Sequence, residues 1–414
     1  MIVYGDSMRP ADPADVCRSI TATLEALAAP GRTGIDRHAA LVHAFVAASE
    51  LVQGLADAEF EARGCDARSR VQDSGMRLLM HLARAIARSW HGGLCEPDGL
   101  PAEAADLLAA LEMPDAIWVS KAEGYRHYAL YPETYLLAAR GSGLGRGTRV
   151  VGIRSIGVGL AALVAAALRA PPPISVRPTG HPFRRRIDAA RELSDEVRAA
   201  GAVEFAIVDE GPGLSGSSFA AVQDWLQACG VAPRRIHLFP SHPGPPGPEA
   251  SPACRDAWLR SSRRHVAFET ALLDAPEPSH RLGSWVAELI GPLDEPLQDI
   301  SGGAWRGLRY ARAADWPSAD PRVERRKFLA HSGGRAWLVK FAGLGADGAR
   351  KLATARLLDA AGLAPEVAGL RHGFLVERWL EGAPLDAVAV PRQRLLRALG
   401  AYLGFRARLP APEG

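Results

Sequence analysis

One stretch, residues 205–218, restricts the fold of this 414-residue chain more than any other. The four apolar residues Phe205–Val208 predict a buried parallel strand. Two carboxylates, Asp209 and Glu210, follow, and a loop of Gly, Pro and Ser residues leads to an apolar-periodic run that predicts a helix from Phe219. Such a stretch can bind a sugar phosphate, because backbone N–H groups and a helix N-terminus face an anion while carboxylates accept hydrogen bonds from vicinal hydroxyls.

Composition and charge exclude several classes of protein. Hydrophobic residues make up 48% and charged residues 23% of the chain, which is ordinary for a globular protein. The net charge of +3 gives no whole-protein attraction to nucleic acid or membrane. The five cysteines form no CxxC or Cys/His ligand pattern, which favours a reduced protein without structural zinc. We expect no signal peptide and no membrane span, and therefore a cytoplasmic protein.

The texture of the chain changes three times. Residues 1–112 carry helical periodicity, clearest from Ile35 to Phe60 and from Met76 to Trp90, and predict a helical domain. In residues 113–245 strand and helix patterns alternate, which predicts an α/β domain with a parallel sheet and ligand loops at the carboxyl ends of its strands. Residues 246–300 are predicted to be a linker and helices, and residues 301–414 an α+β region.

Three loops that follow consecutive predicted strands suit a phosphorylated sugar. The first, Arg154 to Gly159, has two glycines and a serine before a predicted helix. The second, predicted to be a loop from Pro178 to Arg186, lies in a basic segment with five arginines and one acid; the arginines are Arg177, Arg184, Arg185, Arg186 and Arg191. The third is the acidic-pair loop, residues 209–218. Basic residues opposite an acidic pair suit a ligand with phosphates at one end and a diol at the other, with Mg²⁺ between them.

Residues 206–218 resemble the phosphoribosyl-diphosphate (PRPP) signature of type I phosphoribosyltransferases. Residues 150–157 are similar to the diphosphate-binding loop of that family, and residues 177–186 occupy the place of its flexible, basic catalytic loop. The resemblance covers about residues 115–243. It implies a type I phosphoribosyltransferase-like α/β domain, flanked by the helical domain and the α+β region.

The resemblance also implies roles for individual residues. Asp209 and Glu210 would bind the ribose 2′ and 3′ hydroxyls, while His181, Arg184 and Arg185 would close over the leaving group. The diphosphate and 5′-phosphate would be held by two sets, Arg154, Ser155, Ile156 and Gly157, and Ser215, Gly216, Ser217 and Ser218. Mg²⁺ would arrive bound to PRPP rather than in a dedicated protein site. The reaction would be displacement of diphosphate at ribose C1 by an unidentified acceptor.

The sequence departs from the family pattern in the acidic-pair loop. The spacer Gly211 to Leu214 is one residue longer than usual, and serines replace the usual threonines. The acceptor loop would lie near residues 240–247 or in the hood segment, residues 117–132, and neither matches a known nucleobase class. A protein that senses PRPP or a nucleotide without catalysis is therefore the alternative. The expected partners are PRPP and a small-molecule acceptor, and a homodimer is left open.

The C-terminal region resembles the N-lobe and hinge of aminoglycoside-phosphotransferase-like kinases, through residues 337–341 and 374–385. The resemblance implies that Lys340 binds phosphate and that residues 377–379 form the hinge. The helix predicted over residues 346–362 has no glutamate to pair with Lys340, and no His-x-Asp motif follows residue 385. We expect either a lobe without catalysis or part of a kinase whose C-lobe is missing; Lys340 as an exposed edge-strand lysine is equally compatible.

Overall fold

The structure, a computed structural model, describes residues 7–28, 33–94, 100–320, 324–382, 385 and 388–409. The chain divides into two compact units. The N-terminal unit comprises residues 1–285 and 343–346, and the C-terminal unit comprises residues 286–342 and 347–414. The division falls inside the helix Leu282–Ile290.

Helices make up most of the first part of the N-terminal unit. Its elements are strand β1 (Ser7–Ala11) and helices α1 (Pro13–Ala28), α2 (Gly34–Arg63), α3 (Arg70–His91) and α4 (Leu100–Ala109). Helices α2 and α3 pack against each other, and side chains such as Phe45 and Leu79 are fully buried. Strand β1 pairs antiparallel with β2 (Ile117–Lys121). It was not predicted, because a strand containing Arg9 and Pro10 lacks the usual apolar alternation.

Among the described residues, α2 is long and apolar enough to cross a membrane by length and composition alone. In the structure, 78% of its apolar window is buried. Helices α1 and α3 lie against it. Burial of that kind is typical of the central helix of a packed core, which passes the same test of length and composition.

The second part of the N-terminal unit alternates strands and helices. Its elements are the π-turn Gly124–Tyr128, α5 (Pro132–Arg140), β3 (Arg149–Ile153), α6 (Gly157–Leu168), β4 (Ile174–Val176), β5 (Pro178–His181), β6 (Arg184–Ile187), α7 (Arg191–Ala199), β7 (Phe205–Val208), α8 (Ser217–Ala228), the 3₁₀ turn Pro233–Arg235, β8 (Ile236–Phe239), α9 (Pro252–Arg260), β9 (Ser262–Arg263), the π-turn Glu269–Leu273, the 3₁₀ turn Pro278–His280 and the start of α10 (Leu282–Ile290). This part of the chain is mixed α/β, as the sequence predicted at that level.

Five strands form a wholly parallel sheet in the order β4-β3-β7-β8-β9. The chain passes from β3 to its neighbour β4 on one side. It then crosses back to β7 on the other side of β3 and continues outward through β8 to β9. The strand order therefore reverses between β3 and β7, so the connections that leave these two strands diverge at their carboxyl ends.

Close packing of two glycines sets the distance between α6 and the sheet. A Cβ on Gly157 would stand 2.5 Å from the carbonyl oxygen of Val208, and a Cβ on Gly152 would stand 2.3 Å from that of Gly157. Glycine at both positions lets the first turn of α6 lie directly against the ends of β3 and β7. Helix α6 is buried on almost every side, which is why its sequence is apolar all round.

The segment Pro178 to Arg186 is a β-hairpin, so the prediction of a loop there is wrong. Strands β5 and β6 pair antiparallel, with Pro178 opposite Ile187 and His181 opposite Arg184. Three consecutive arginines hide the alternation that normally predicts a strand, although Arg184 and Arg186 are exposed while Arg185 and Ile187 are half-buried. The basic residues are therefore carried on a two-stranded ribbon.

An antiparallel sheet forms the centre of the C-terminal unit. Its described elements are β10 (Gln298–Asp299), the 3₁₀ turns Ala304–Leu308 and Ala313–Asp315, β11 (Lys327–Ser332), β12 (Arg335–Phe341), α11 (Gly345–Ala360), β13 (Val367–Arg371), β14 (Phe374–Arg378) and α12 (Arg392–Arg406). The strand order is β10-β11-β12-β14-β13. Gly333 and Gly334, both with positive φ, form the turn between β11 and β12 that the sequence predicted.

Candidate functional site

The loops that follow β3 and β7 meet at the reversal of strand order. The two strands are parallel and in register, with Gly152 opposite Val208. The first loop, of which residues 154–156 precede α6, therefore leaves the sheet beside the acidic-pair loop, residues 209–218. Ligands of open parallel sheets bind in the crevice that forms at such a reversal, outside the carboxyl ends of the strands. Two of the three loops singled out in the sequence are brought together here.

The acidic pair is held by neighbouring backbone and by one tyrosine. The N–H of Asp209 donates to the carbonyl oxygen of Phe239 (3.3 Å), and the Tyr135 hydroxyl donates to the carbonyl oxygen of Asp209 (2.7 Å). Burial, followed by the charges of Glu210 and Asp209, raises the pKa of Tyr135 well above its usual range. The phenol therefore keeps its proton and remains a hydrogen-bond donor. The residues Asp209 and Glu210 are both half-buried.

The hood segment contacts the acidic pair through Gly124. A Cβ on this glycine would stand 2.8 Å from Cδ and Oε1 of Glu210 and 2.9 Å from Oε2. The Glu210 carboxylate therefore lies flat against the start of the π-turn. The next residue, Tyr125, is buried, and its hydroxyl has no hydrogen-bond partner within the described residues. Burial first, and then the charges of Glu133, Glu210 and Glu50, raises the pKa of Tyr125 well above its usual range.

The serine-containing end of the acidic-pair loop, Ser215 to Ser218 and called the serine loop below, folds back on Pro212 at the start of α8. The N–H of Gly216 donates to the carbonyl oxygen of Pro212 (2.7 Å), with Gly216 at φ +69°. The Oγ atoms of Ser215 and Ser217 lie 2.9 Å apart. Both hydroxyls also donate to the carbonyl oxygen of Pro182, at 3.1 and 2.6 Å. The tip of the basic hairpin thus lies on the loop predicted to hold the 5′-phosphate, and Ser218 is half-buried in the first turn of the helix.

The basic hairpin presents its residues to different surroundings. His181 and Arg184 are exposed, and His181 Nδ1 accepts from the N–H of Phe183 (3.2 Å). Arg185 is half-buried and donates to the carbonyl oxygen of Pro178 (3.0 Å). Burial lowers the pKa of Arg185, and the charge of Arg177 lowers it further. The Asp209 carboxylate opposes both effects. Through this opposing effect, the charge of Arg185 is coupled to the acidic pair.

The other three arginines of the basic segment have acidic partners. Arg186 pairs with Asp188 at 2.9 Å, and Arg191 lies 3.6 Å from Asp195 on its own helix. Arg177 Nε donates to Oδ1 of Asp57, in helix α2, at 2.9 Å. These pairs account for much of the local positive charge. Within the described residues, Arg184 and Arg185 have no carboxylate partner.

Arg154 takes part in a buried network. Its guanidinium pairs with Asp57 at 2.8 Å and with Asp66, and it donates to Ser175 Oγ at 3.2 Å. Arg177 joins the same network, donating to Asp57 from its side chain and to Asp66 Oδ2 from its backbone N–H (2.7 Å). The guanidinium is fully buried, so a diphosphate at this loop would meet residues 155–157 and the start of α6 instead. The diphosphate role of Arg154 itself stays a prediction.

Asp66 connects this loop to the base of the hairpin. Its backbone exchanges hydrogen bonds with the segment that follows β6, donating to the carbonyl oxygen of Asp188 and accepting from the N–H of Ala190, each at 2.8 Å. Burial raises the pKa of Asp66, against the lowering effect of Arg154. Sequence reasoning missed Asp66, because its partners are remote and no local motif surrounds it. The same holds for Asp57, Gly124, Tyr135 and Pro182.

In the C-terminal unit, Lys340 pairs with Glu377 on the neighbouring strand, with Nζ 3.4 Å from Oε2. Strand β12 lies between β11 and β14, so the alternative that Lys340 is an edge-strand lysine is wrong. This partner comes from β14, which ends in the first two residues of the predicted hinge, Glu377 and Arg378. A phosphate-binding role for Lys340 stays a prediction.

No protein-family model, no curated protein and no solved structure matches this chain.

Proposed function

We propose that this chain is a Mg²⁺-dependent phosphoribosyltransferase, which uses PRPP and displaces diphosphate at ribose C1 with an acceptor. The observation that supports this most is the meeting of an acidic pair, a serine loop at a helix N-terminus and a basic hairpin at the reversal of strand order in a parallel sheet. Each group has a counterpart in PRPP, which carries a diol, a 5′-phosphate and a diphosphate. The type I phosphoribosyltransferase fold is part of this proposal.

The binding roles follow from donor and acceptor chemistry. Asp209 and Glu210 supply acceptors for the two ribose hydroxyls, and the serine loop with the start of α8 supplies donors for the 5′-phosphate. Residues 155–157 and the start of α6 face the diphosphate. One helix end contributes only about 0.3–1 kcal/mol to an anion. Several N–H groups and the Arg185 cation must therefore act together to hold a ligand with this much charge.

The acidic residues beside the crevice are compatible with Mg²⁺, which prefers carboxylate and phosphate oxygens and keeps several waters. When bound with PRPP, the ion would neutralise part of the diphosphate charge. The chain's own contribution is to place donors where negative charge develops on the leaving group. The hairpin excludes water from the crevice when it closes over the ligand.

The position of the hairpin tip favours a second candidate, a PRPP sensor without turnover. The carbonyl oxygen of Pro182 accepts from both serine hydroxyls that would otherwise bind phosphate. A phosphate that takes these two donors must displace the tip, so ligand binding is coupled to movement of the hairpin. Such coupling can signal the presence of PRPP whether or not the bond at C1 is broken.

Release of diphosphate from PRPP separates these two functions. The protein, Mg²⁺ and PRPP are incubated with a panel of amines, nitrogen heterocycles and a metabolite extract, and diphosphate is measured. We expect acceptor-dependent release, and we expect Asp209→Asn combined with Glu210→Gln to abolish it. The matched control, Glu192→Gln with Asp195→Asn, changes two exposed acids on α7 and should leave release unchanged. If the protein binds PRPP but releases no diphosphate with any acceptor of the panel, the sensor is favoured.

A further inference from the structure

The loop after β8, residues 240–247, is tied to the acidic-pair loop along its length. The N–H of Ser241 donates to the carbonyl oxygen of Glu210 (2.7 Å), and the N–H of Gly247 donates to that of Gly213 (2.9 Å). Between these two points lies His242. The two hydrogen bonds hold this histidine beside the acidic pair, although no role has been given to it in binding PRPP.

The His242 ring lies between two glycines and leaves one nitrogen without a partner. Its Nε2 is 3.2 Å from the position that a Cβ on Gly211 would occupy, and its Nδ1 is 3.0 Å from that of Gly244. Nε2 is buried and has no hydrogen-bond partner within the described part of the chain. A buried polar atom left unpaired destabilises the folded state. A ligand group that hydrogen-bonds to Nε2 would remove this cost.

The surroundings of His242 favour the uncharged form of its ring. Burial lowers the pKa of His242, and the nearby His265 lowers it further. The pKa of His265 is lowered as well, by burial and by Arg263. A neutral imidazole has one nitrogen that accepts a proton, and it can therefore act as a base.

Building on the proposed function, we propose that His242 is the general base that takes the proton from the acceptor's N–H or O–H during its attack on ribose C1. The bond from the attacking atom to C1 forms as the bond from C1 to the diphosphate oxygen breaks. The electron pair of the broken bond leaves with diphosphate, and the acceptor's proton goes to Nε2. The acceptor is thus a small molecule whose attacking nitrogen or oxygen carries a proton.

Two small nucleophiles test this role without knowledge of the natural acceptor. Hydroxylamine must lose a proton as it attacks C1, whereas the azide anion has none to lose. With PRPP and Mg²⁺, we expect His242→Gln and His242→Ala to lower diphosphate release with hydroxylamine by about 10²–10⁴-fold. Release with azide, and the affinity for PRPP, should stay at the wild-type level. His331→Ala removes a half-buried histidine of the C-terminal unit, and should leave both reactions close to wild type.

Other outcomes overturn the inference and identify what failed. Equal loss with hydroxylamine and azide would mean that His242 only shapes the site, and no loss with either would mean that it has no role. If the wild type releases no diphosphate with hydroxylamine or with azide, the inference is overturned as well. In that case calorimetry with PRPP distinguishes the cause: binding that depends on Asp209 leaves the PRPP site standing, whereas no binding refutes the proposed function itself.

Discussion

Substituting Gly124 by alanine tests how the acidic pair is positioned. The added methyl group would stand 2.8 Å from Cδ and Oε1 of Glu210, whereas ordinary van der Waals contact begins at 3.4 Å. The carboxylate must therefore retreat by about 0.6 Å, the difference between 3.4 and 2.8 Å, or the π-turn must move by as much. Either shift changes the distance between Glu210 and the ribose hydroxyl that it is proposed to bind.

The expected loss follows from the strength of that hydrogen bond. A hydrogen bond to a charged group contributes about 1.5–3 kcal/mol, and each 1.4 kcal/mol is a factor of ten, so Gly124→Ala should weaken PRPP binding by about 10- to 100-fold. Calorimetric titration of PRPP with Mg²⁺ measures this directly. Gly147→Ala is the matched control, because nothing lies within 4 Å of its Cβ position and its φ is outside the left-handed region.

Unchanged folding must accompany the result. Urea unfolding of Gly124→Ala shows whether the substitution has acted on the whole unit or only on the site. If the folded variant binds PRPP as tightly as the wild type, the contact between Gly124 and Glu210 does not position a ligand-binding carboxylate, and the reasoning is refuted. If Gly147→Ala loses as much affinity as Gly124→Ala, the loss is not specific to the acidic pair.

Three further predictions concern the basic residues. In urea titrations, Arg154→Met should lower the free energy of unfolding by about 3–5 kcal/mol, because it leaves buried carboxylates unpaired. Arg198 is exposed, and Arg198→Met should lower the free energy of unfolding by less than about 1 kcal/mol. Equal losses would contradict the buried network around Arg154. The loss of unfolding free energy in Arg154→Met should shrink in acid. Burial raises the pKa of Asp66 above its usual 3.8, so the stability that Asp66 contributes is present below pH 3.8 and is lost as the pH rises through the raised pKa. A loss that grows in acid would be inconsistent with this. By calorimetry, Arg185→Gln should weaken PRPP binding more than Arg184→Gln, since Asp209 acts on the first and the second is exposed; equal effects would argue against a role for Arg185.

The parallel sheet could be predicted because its signal is local. A strand covered on both faces is a continuous apolar run, and the run predicted over Phe205–Val208 is the strand observed. The helix after the acidic-pair loop begins at Ser217, two residues before its predicted start at Phe219. The position of the loops at one edge of the sheet then follows from the rule that parallel strands place their carboxyl ends at the same edge.

The contacts that build the site could not be predicted, because they join residues far apart in sequence. Asp66 and Arg154 are 88 positions apart, and Pro182 meets Ser215 across 33 positions. No local pattern marks Gly124 as the residue against which a carboxylate lies. The hairpin was missed for a different reason, since its strands are too short and too basic to show apolar alternation.

Equilibrium binding of PRPP with Mg²⁺ tests the central claim most directly. Calorimetric titration of the full chain should show one PRPP per chain, with affinity lost in the Asp209→Asn and Glu210→Gln double variant and kept in the Glu192→Gln and Asp195→Asn control. Absence of PRPP binding by the wild type, or binding that the double variant retains, would contradict the assignment of the acidic pair as the ribose site.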